Sequence, residues 1–471
     1  MEAEFSDKRL VLVSNGEPYK HVYKDNEVKM EKLAGGLTTG LDPMMQEGNG
    51  LWIAWGRGEA DFEIVDKENK VKVPDESGYT LKRVNLTQEE QDGFYYGFSN
   101  EVMWPICHTF ISRANYDEEY WQTYKKVNRK YADSIEEELQ EDDLVWIHDY
   151  HLALVPAMLK ENNDVNLSLF WHIPWPAWEA FRTIPWREEI LKGLLASDFI
   201  GFHTDLFVYN FLNCAKKIGA DVDFSTHEVS YKGNKTKVMS VPLGIDVDSF
   251  EELTEDKKYL KAADAVKESY GCEKLIFAVD RLDYTKGIEE RLDGIARFFE
   301  KYPEYKGKVT VVQRIAPSRT EVEEYQIMKE SIERKIAAIN GKLQKDEWVP
   351  VKYFYGSVPQ KDLLPYYKAA DVGLITAVID GMNLVAKEYA AVQDDGVLIL
   401  SEFAGAAQYM DQALQVNPYH VEALADTIYQ ALEMDNAEKN QRLEKLQKNL
   451  RKYDINWWRD YFLENWLGYY E

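Results

Sequence analysis

Two cations fall inside one short string, Asp280-Arg281-Leu282-Asp283-Tyr284-Thr285-Lys286-Gly287. It follows an apolar run and leads into a helical pattern, so it reads as the C-terminal end of a buried strand. Ligands of open α/β sheets gather at that end. An arginine fork and a lysine point charge there would grip a diphosphate. The plainer reading is a surface ion-pair cluster with Asp280 and Asp283. A second string, Asp380-Gly381-Met382-Asn383-Leu384-Val385-Ala386-Lys387-Glu388-Tyr389, also sits between a strand and a helix. Backbone N–H groups at Asn383, Leu384 and Val385 would face phosphate at the helix start. Glu388 would accept two hydrogen bonds from ribose hydroxyls. The plainer readings are an N-cap for Asp380 and a Lys387 or solvent partner for Glu388.

A third string, Ala34-Gly35-Gly36-Leu37-Thr38-Thr39-Gly40-Leu41, opens a helical pattern. It reads equally as an anion cradle or as a tight turn. His148-Asp149-Tyr150-His151 and His172-Ile173-Pro174-Trp175-Pro176 each end a strand. No Cys or further His stands at metal-ligand spacing, so the expectation is no metal. A polar cluster for sugar hydroxyls fits better, with a core histidine the alternative for His151. Tyr95, Tyr96, Phe98 and Trp104 read as core, or as ring faces for a sugar. Asp221-Val222-Asp223 and Asp246-Val247-Asp248 follow no clear buried strand. They read as loop or hinge, not as a phosphatase nucleophile.

The elements that must position these residues follow from the pattern. Apolar runs lie at Arg9–Ser14, Leu51–Trp55, Leu144–His148, Leu167–His172 and Phe199–His203. A second set lies at Leu275–Val279, Val309–Gln313, Val351–Tyr355, Val372–Thr376 and Val397–Ser401. Most lack polar alternation, as strands buried on both faces do. Helical periodicity marks Glu118–Leu139, Arg187–Ala196, Ile288–Lys301, Arg319–Ala338 and Asn436–Arg451. The alternation predicts an α/β fold with two doubly wound domains. The break falls near Pro242-Leu243-Gly244-Ile245-Asp246, and the acidic helical segment beyond it reads as a hinge. Ile455–Tyr470 is rich in Trp and Tyr and should dock on something.

The 471 residues carry 82 acidic and 56 basic side chains, a formal net charge of −26. Such a field repels phosphate polymers, which argues against nucleic acid and anionic membranes as partners. The three cysteines, Cys107, Cys214 and Cys272, suit no disulfide framework or zinc ribbon. No signal peptide and no membrane helix are read, so the expectation is a cytoplasmic protein.

Taken together, AGGLTTGL, GFSNEVMWPICH, WIHDYHL, FWHIPWP, DRLDYTKG, APSR and DGMNLVAKEY resemble the trehalose-6-phosphate synthase family, the retaining GT20 glucosyltransferases. The resemblance covers nearly the whole chain. It implies a GT-B architecture of two Rossmann-like domains with the active site in the cleft between them. These would be 1–243 for the acceptor and 244–454 for the nucleotide sugar, with a helix 455–471 crossing back to the first. It implies that Arg281 and Lys286 grip the diphosphate, with Asn383, Leu384 and Val385 at the helix start and Glu388 on the ribose. Asp380 and His172 would hold the donor glucose, and Gly36 would approach the donor phosphates. Trp55, Tyr95, Trp104, Asp149 and Arg319 match acceptor positions, with Tyr95 and Arg319 at its phosphate. The implied catalytic set is Asp149, His172, Arg281, Lys286 and Asp380, with no cofactor and no assigned general base. The implied partners are a nucleotide-glucose, UDP-glucose by default, and glucose 6-phosphate.

The chain departs from that family at two places. Its first strand ends Ser14-Asn15-Gly16, where the family has an arginine that binds the acceptor phosphate. Ile379 stands where many members have arginine. Both changes remove positive charge. Lys20, Lys24 or Lys32, from the loop that follows, are the candidate substitutes. The alternative acceptors are glycerol 3-phosphate, another polyol phosphate or an unphosphorylated sugar. A regulatory homologue is disfavoured by the intact donor set (Gly36, Arg281, Lys286, Asp380 and Glu388). The nucleotide (UDP, ADP or GDP) and homo-oligomer formation stay open.

Overall fold

A computed structural model describes residues 8–33, 36–48, 50–319 and 323–469. Ala34 and Gly35 of the glycine string, residues 320–322 and the last two residues of the chain lie outside them. The chain divides into two compact units. The first comprises residues 1–242 and 459–471, and the second comprises residues 243–458.

In the first unit the strand Leu10–Gly16 lies between Leu51–Trp55 and Leu144–His148, parallel to both. Tyr79–Val84 extends the sheet on one side, and Asn166–Phe170, Phe199–Phe202 and Asn234–Ser240 extend it on the other, all parallel. Counted in chain order, these parallel strands run 3-2-1-4-5-6-7. The direction of winding reverses between Leu10–Gly16 and Leu144–His148. Such a reversal leaves a crevice outside the carboxyl ends of its strands. Among the described residues the sheet reaches ten strands through antiparallel edges: Lys70–Val73 on one side, Glu228–Tyr231 and Asp221–Asp223 on the other. Asp221-Val222-Asp223 is therefore an edge strand, not a loop.

The second unit holds a wholly parallel sheet. Lys274–Arg281, Val309–Ala316, Val351–Tyr355, Val372–Ile375, Val397–Ser401 and Leu414–Val416 are its strands in chain order. In space they run 3-2-1-4-5-6, the dinucleotide-fold order. Here the reversal falls between Lys274–Arg281 and Val372–Ile375. The strand interiors (Ile276, Val311, Val372, Leu374 and Ile399) are buried under helices such as Ile288–Lys301 and Val421–Glu433. This is why they read as unbroken apolar runs.

All ten apolar runs form strands, with ends shifted by a few residues. Two local readings need correction. The helical pattern placed from Arg319 begins at Glu323 and runs to Leu343. Arg319 itself has φ 47°, outside helical geometry. The segment after Gly16 is a hairpin of Tyr19–Lys24 and Glu27–Lys32, not a loop. Gln91–Met103 winds as a π-helix, from which Trp104 N–H donates to the Ser99 carbonyl. The residues Ile455–Gly468 form one helix that starts in the second unit and ends in the first. In the first unit, Phe462 stacks on Trp146 at 4.7 Å, and both Phe462 and Trp466 are fully buried.

Candidate active site

Arg281 is the last residue of its strand, at the second unit's reversal point. The turn that follows is fixed. Asp283 accepts from Thr285 N–H at 3.0 Å. Gly287 has φ 61°, and a Cβ there would stand 2.2 Å from the Thr376 carbonyl, so only glycine lets the two loops close. Val378 N–H donates to Thr285 O at 2.9 Å, pinning the Asp380 loop beside the Lys286 turn.

The charges then sort themselves. Asp280 pairs with the fully buried Arg291 at 2.5 Å. Arg291 also holds Gln313 and Thr376 at 2.9 Å each. Asp283 pairs with Arg319 at 2.8 Å, and Tyr325 hydroxyl joins that pair. Nearby cations, Arg319 and Lys286 first, hold the Asp283 carboxyl below its ordinary value despite burial. Neither acid is spent on Arg281, which is exposed and, among the described residues, forms no ion pair. The surface ion-pair reading of this string therefore fails. Lys286 Nζ lies 2.6 Å from Asp380 Oδ2, which also accepts from Asn383 Nδ2 at 3.0 Å.

Asn383, not Asp380, caps the helix Leu384–Val392. Its side chain accepts from Ala386 N–H at 3.1 Å, and its backbone sits at φ 76°. A non-glycine residue held there stores about 1–3 kcal/mol of strain, a feature that gathers at functional sites. On the next turn, Glu388 is nine-tenths buried and does not touch Lys387. Its two oxygens accept from Gln360 Nε2 at 2.7 Å and Tyr367 hydroxyl at 2.9 Å. Burial raises its pKa. Lys387 turns away and donates to Leu243 O at 2.6 Å.

In the first unit, Asp149 follows the strand Leu144–His148 at the reversal point with φ 76° and ψ 168°, a region almost reserved for glycine. Its carboxylate accepts from Tyr150 N–H at 2.9 Å and from His172 N–H at 3.4 Å. His148 Nδ1 and His172 Nε2 are 3.0 Å apart. Burial takes His148 down to about 3 and holds His172 well below its ordinary value. Burial thus favours the uncharged ring in both, suited to hydrogen bonding rather than to carrying charge. Tyr95 stacks on His151 with centroids 5.8 Å apart and meets Trp55 edge-on at 5.7 Å. Trp104 packs on His108 at 4.1 Å and lies 6.2 Å from Tyr150. Gly36 opens the helix Gly36–Glu47.

The site residues thus fall into two groups. Gly36, Trp55, Tyr95, Trp104, Asp149 and His172 belong to the first unit. Arg281, Lys286, Arg319, Asp380, Asn383, Leu384, Val385 and Glu388 belong to the second. Arg319 stands with the Asp283 turn of its own unit. The sequence reading missed Arg291, which braces Asp280, and the two residues that hold Glu388. Nothing in their own strings marks them, because each acts across the fold.

Two Rossmann-like units, one carrying cations and a helix start at its reversal point, define a glycosyltransferase of the GT-B class. Comparison with known proteins narrows this. The model of glycosyltransferase family 20 matches residues 8–466, and the chain belongs to that family. It is 38% identical to a bifunctional trehalose-6-phosphate synthase/phosphatase of Thermoproteus tenax, spanning 97% of this chain but only 63% of that protein's length. It is 36% identical to the 56 kDa subunit of the UDP-forming alpha,alpha-trehalose-phosphate synthase of Saccharomyces cerevisiae, covering 97% of this chain and 94% of that one. A solved UDP-forming alpha,alpha-trehalose-phosphate synthase of Burkholderia xenovorans, in complex with glucose-6-phosphate, superposes with a TM-score of 0.87. That structure is 31% identical and covers 98% of this chain and 100% of the other. No helix among the described residues is long and apolar enough to cross a membrane.

Proposed function

We propose that the chain transfers glucose from UDP-glucose to glucose 6-phosphate with retention, giving α,α-trehalose 6-phosphate and UDP. The observation that carries this reading is Arg281, exposed and without a carboxylate partner among the described residues, beside Lys286 and the Asn383 helix start. The names of the relatives supply the donor and the acceptor.

Breaking the anomeric C–O bond builds positive charge on the sugar and negative charge on the departing diphosphate. Arg281 and Lys286 neutralise the latter, with N–H groups of Leu384 and Val385. Asp380 keeps Lys286 in place and offers its second oxygen to a glucose hydroxyl. Glu388, preset by Gln360 and Tyr367, takes the ribose hydroxyls. The acceptor hydroxyl bonds to the anomeric carbon on the face the diphosphate leaves, and the proton it loses passes to the leaving phosphate. Asp149 and His172 orient hydroxyls in this scheme.

The test is nucleoside-diphosphate release with product mass spectrometry. UDP-, ADP- and GDP-glucose are each crossed with glucose 6-phosphate, glucose, glycerol 3-phosphate and no acceptor. The expected result is UDP release that depends on glucose 6-phosphate and yields a disaccharide phosphate. Turnover with glycerol 3-phosphate alone would overturn the acceptor assignment. Donor binding without any turnover would make the chain a regulatory homologue.

A further inference from the structure

The first unit's reversal point carries a cation that none of the motifs contains. Arg57 follows the strand Leu51–Trp55 and stands between Gly56 and Gly58. Its backbone is locked from below. A Cβ on Gly58 would meet the His21 carbonyl at 2.3 Å, and one on Gly56 would meet Arg83 Cδ and Phe62 at 3.0 Å. Arg57 N–H donates to Glu17 Oε1 at 2.8 Å, and Gly58 N–H donates to Asp61 Oδ2 at 2.5 Å. Those two carboxyl groups bond the fully buried Arg83, at 2.9 Å each, and not the Arg57 guanidinium.

The Arg57 side chain is exposed. Its guanidinium carbon lies 4.5 Å from the Trp55 ring centroid and 5.1 Å from that of Tyr95. Its Nη2 reaches back to the Asn15 carbonyl at 3.4 Å. Asn15 precedes Gly16, and among the described residues nothing lies within 4 Å of where a Gly16 Cβ would stand. A guanidinium therefore sits beside open space at the end of the first strand. Among the described residues it has no carboxylate partner. The lysines of the hairpin are committed elsewhere: Lys20 and Lys24 to Glu31, Lys29 to Asp25, and Lys32 to the buried Asp42 at 2.7 Å.

We propose that Arg57 binds the phosphate of the acceptor sugar, supplying from the second strand the charge that Gly16 does not supply from the first. This rests on the reading of the acceptor as a sugar phosphate. Stacking on two rings costs the guanidinium little freedom and leaves N–H donors for a phosphate's paired oxygens. The missing side chain at Gly16 leaves room at the strand end, beside the guanidinium, for a phosphate and its cation alike. Specificity for a phosphorylated acceptor is thus kept, with its cation moved to a neighbouring strand.

The test compares the full-length enzyme with Arg57→Gln, and with Arg57→Gln carrying Gly16→Arg. Arg57→Gln should raise the KM for glucose 6-phosphate by about 10- to 100-fold, the worth of a charge-assisted contact. Its KM for UDP-glucose should stay within about threefold, since the donor residues are untouched. Gly16→Arg should restore most of the lost acceptor affinity. An unchanged KM for glucose 6-phosphate in Arg57→Gln overturns the inference and leaves the functional reading standing. A parallel rise in both KM values also overturns it, by showing a structural role. A parent enzyme that makes no product from glucose 6-phosphate brings down the functional reading itself, which the parent's own assay shows.

Discussion

At the end of strand Lys274–Arg281, acids and bases hold one another in largely buried pairs beside the exposed Arg281: Asp283 with Arg319, Lys286 with Asp380. At the end of strand Leu10–Gly16, charge is packed underneath instead. Glu17, Asp61, Arg83 and His21 form a closed buried cluster, and the surface above is Trp55 and Tyr95 with Arg57 laid across them. Both places are reversal points in sheets that share the order 3-2-1-4-5-6. The scaffold therefore decides where a ligand binds, and the side chains decide what it is. A charge-rich rim suits a diphosphate. An aromatic rim with one guanidinium suits a sugar bearing a single phosphate.

The contrast is broken most directly at Lys286. Lys286→Ala should lower kcat by about 100- to 1000-fold, because the leaving diphosphate loses a preorganised cation. Initial rates of UDP release check this, and a fall below about tenfold would mean the lysine only neutralises Asp380. Next comes Glu388→Gln. Its shape and both neighbours survive, but the charge is gone, so the KM for UDP-glucose should rise by about tenfold. The KM for glucose 6-phosphate should hold, and a matching rise there would blur the division of labour between the units.

The smallest effect sharpens the comparison through pH. Burial pushes the Glu17 carboxyl up to about 8, helped by its hydrogen bond to Asp61. The folded chain then holds a proton between about pH 4.5 and 8 that the unfolded chain has released. Stability from this group is complete below that window and is lost as pH rises through it. Moving from pH 6.5 to 7.5 should cost the parent about 1 kcal/mol more than Glu17→Gln, read from urea midpoints. In the second unit the sign is opposite. Burial takes Lys387 down to about 7, so the folded state there gains stability as pH rises from about 7 to 10.5. Hydrogen exchange followed unit by unit should show the two trends diverging.

Among the described residues, ten of the thirteen parallel strands were legible, because burial on both faces leaves an unbroken apolar run. The outer strands and the edges were not. Lys70–Val73 faces water along much of its length, and Tyr79–Val84 contains Lys82 and Arg83. Those two cations are buried only because Glu137, Glu138 and Glu17 come from distant segments to meet them. Periodicity of 3.6 residues has no means of announcing a π-helix, so Tyr95 and Trp104 were read without their geometry. The donor strings stood out because one turn brings their residues together. Arg57 did not, since its meaning depends on Gly16 lying on the adjacent strand. A strand end followed by Gly-Arg-Gly was the available signal.

The helix Ile455–Gly468 has a consequence for how the protein is made. The first unit's sheet closes over Phe462 and Trp466, residues translated after the whole second unit. At about 5–20 residues per second, the first half of the chain must wait many seconds with a groove in its core still open. The order of synthesis and the order of completion are therefore opposite. The second unit, all in one stretch, can finish first, and the half begun before it is sealed by a helix made after it.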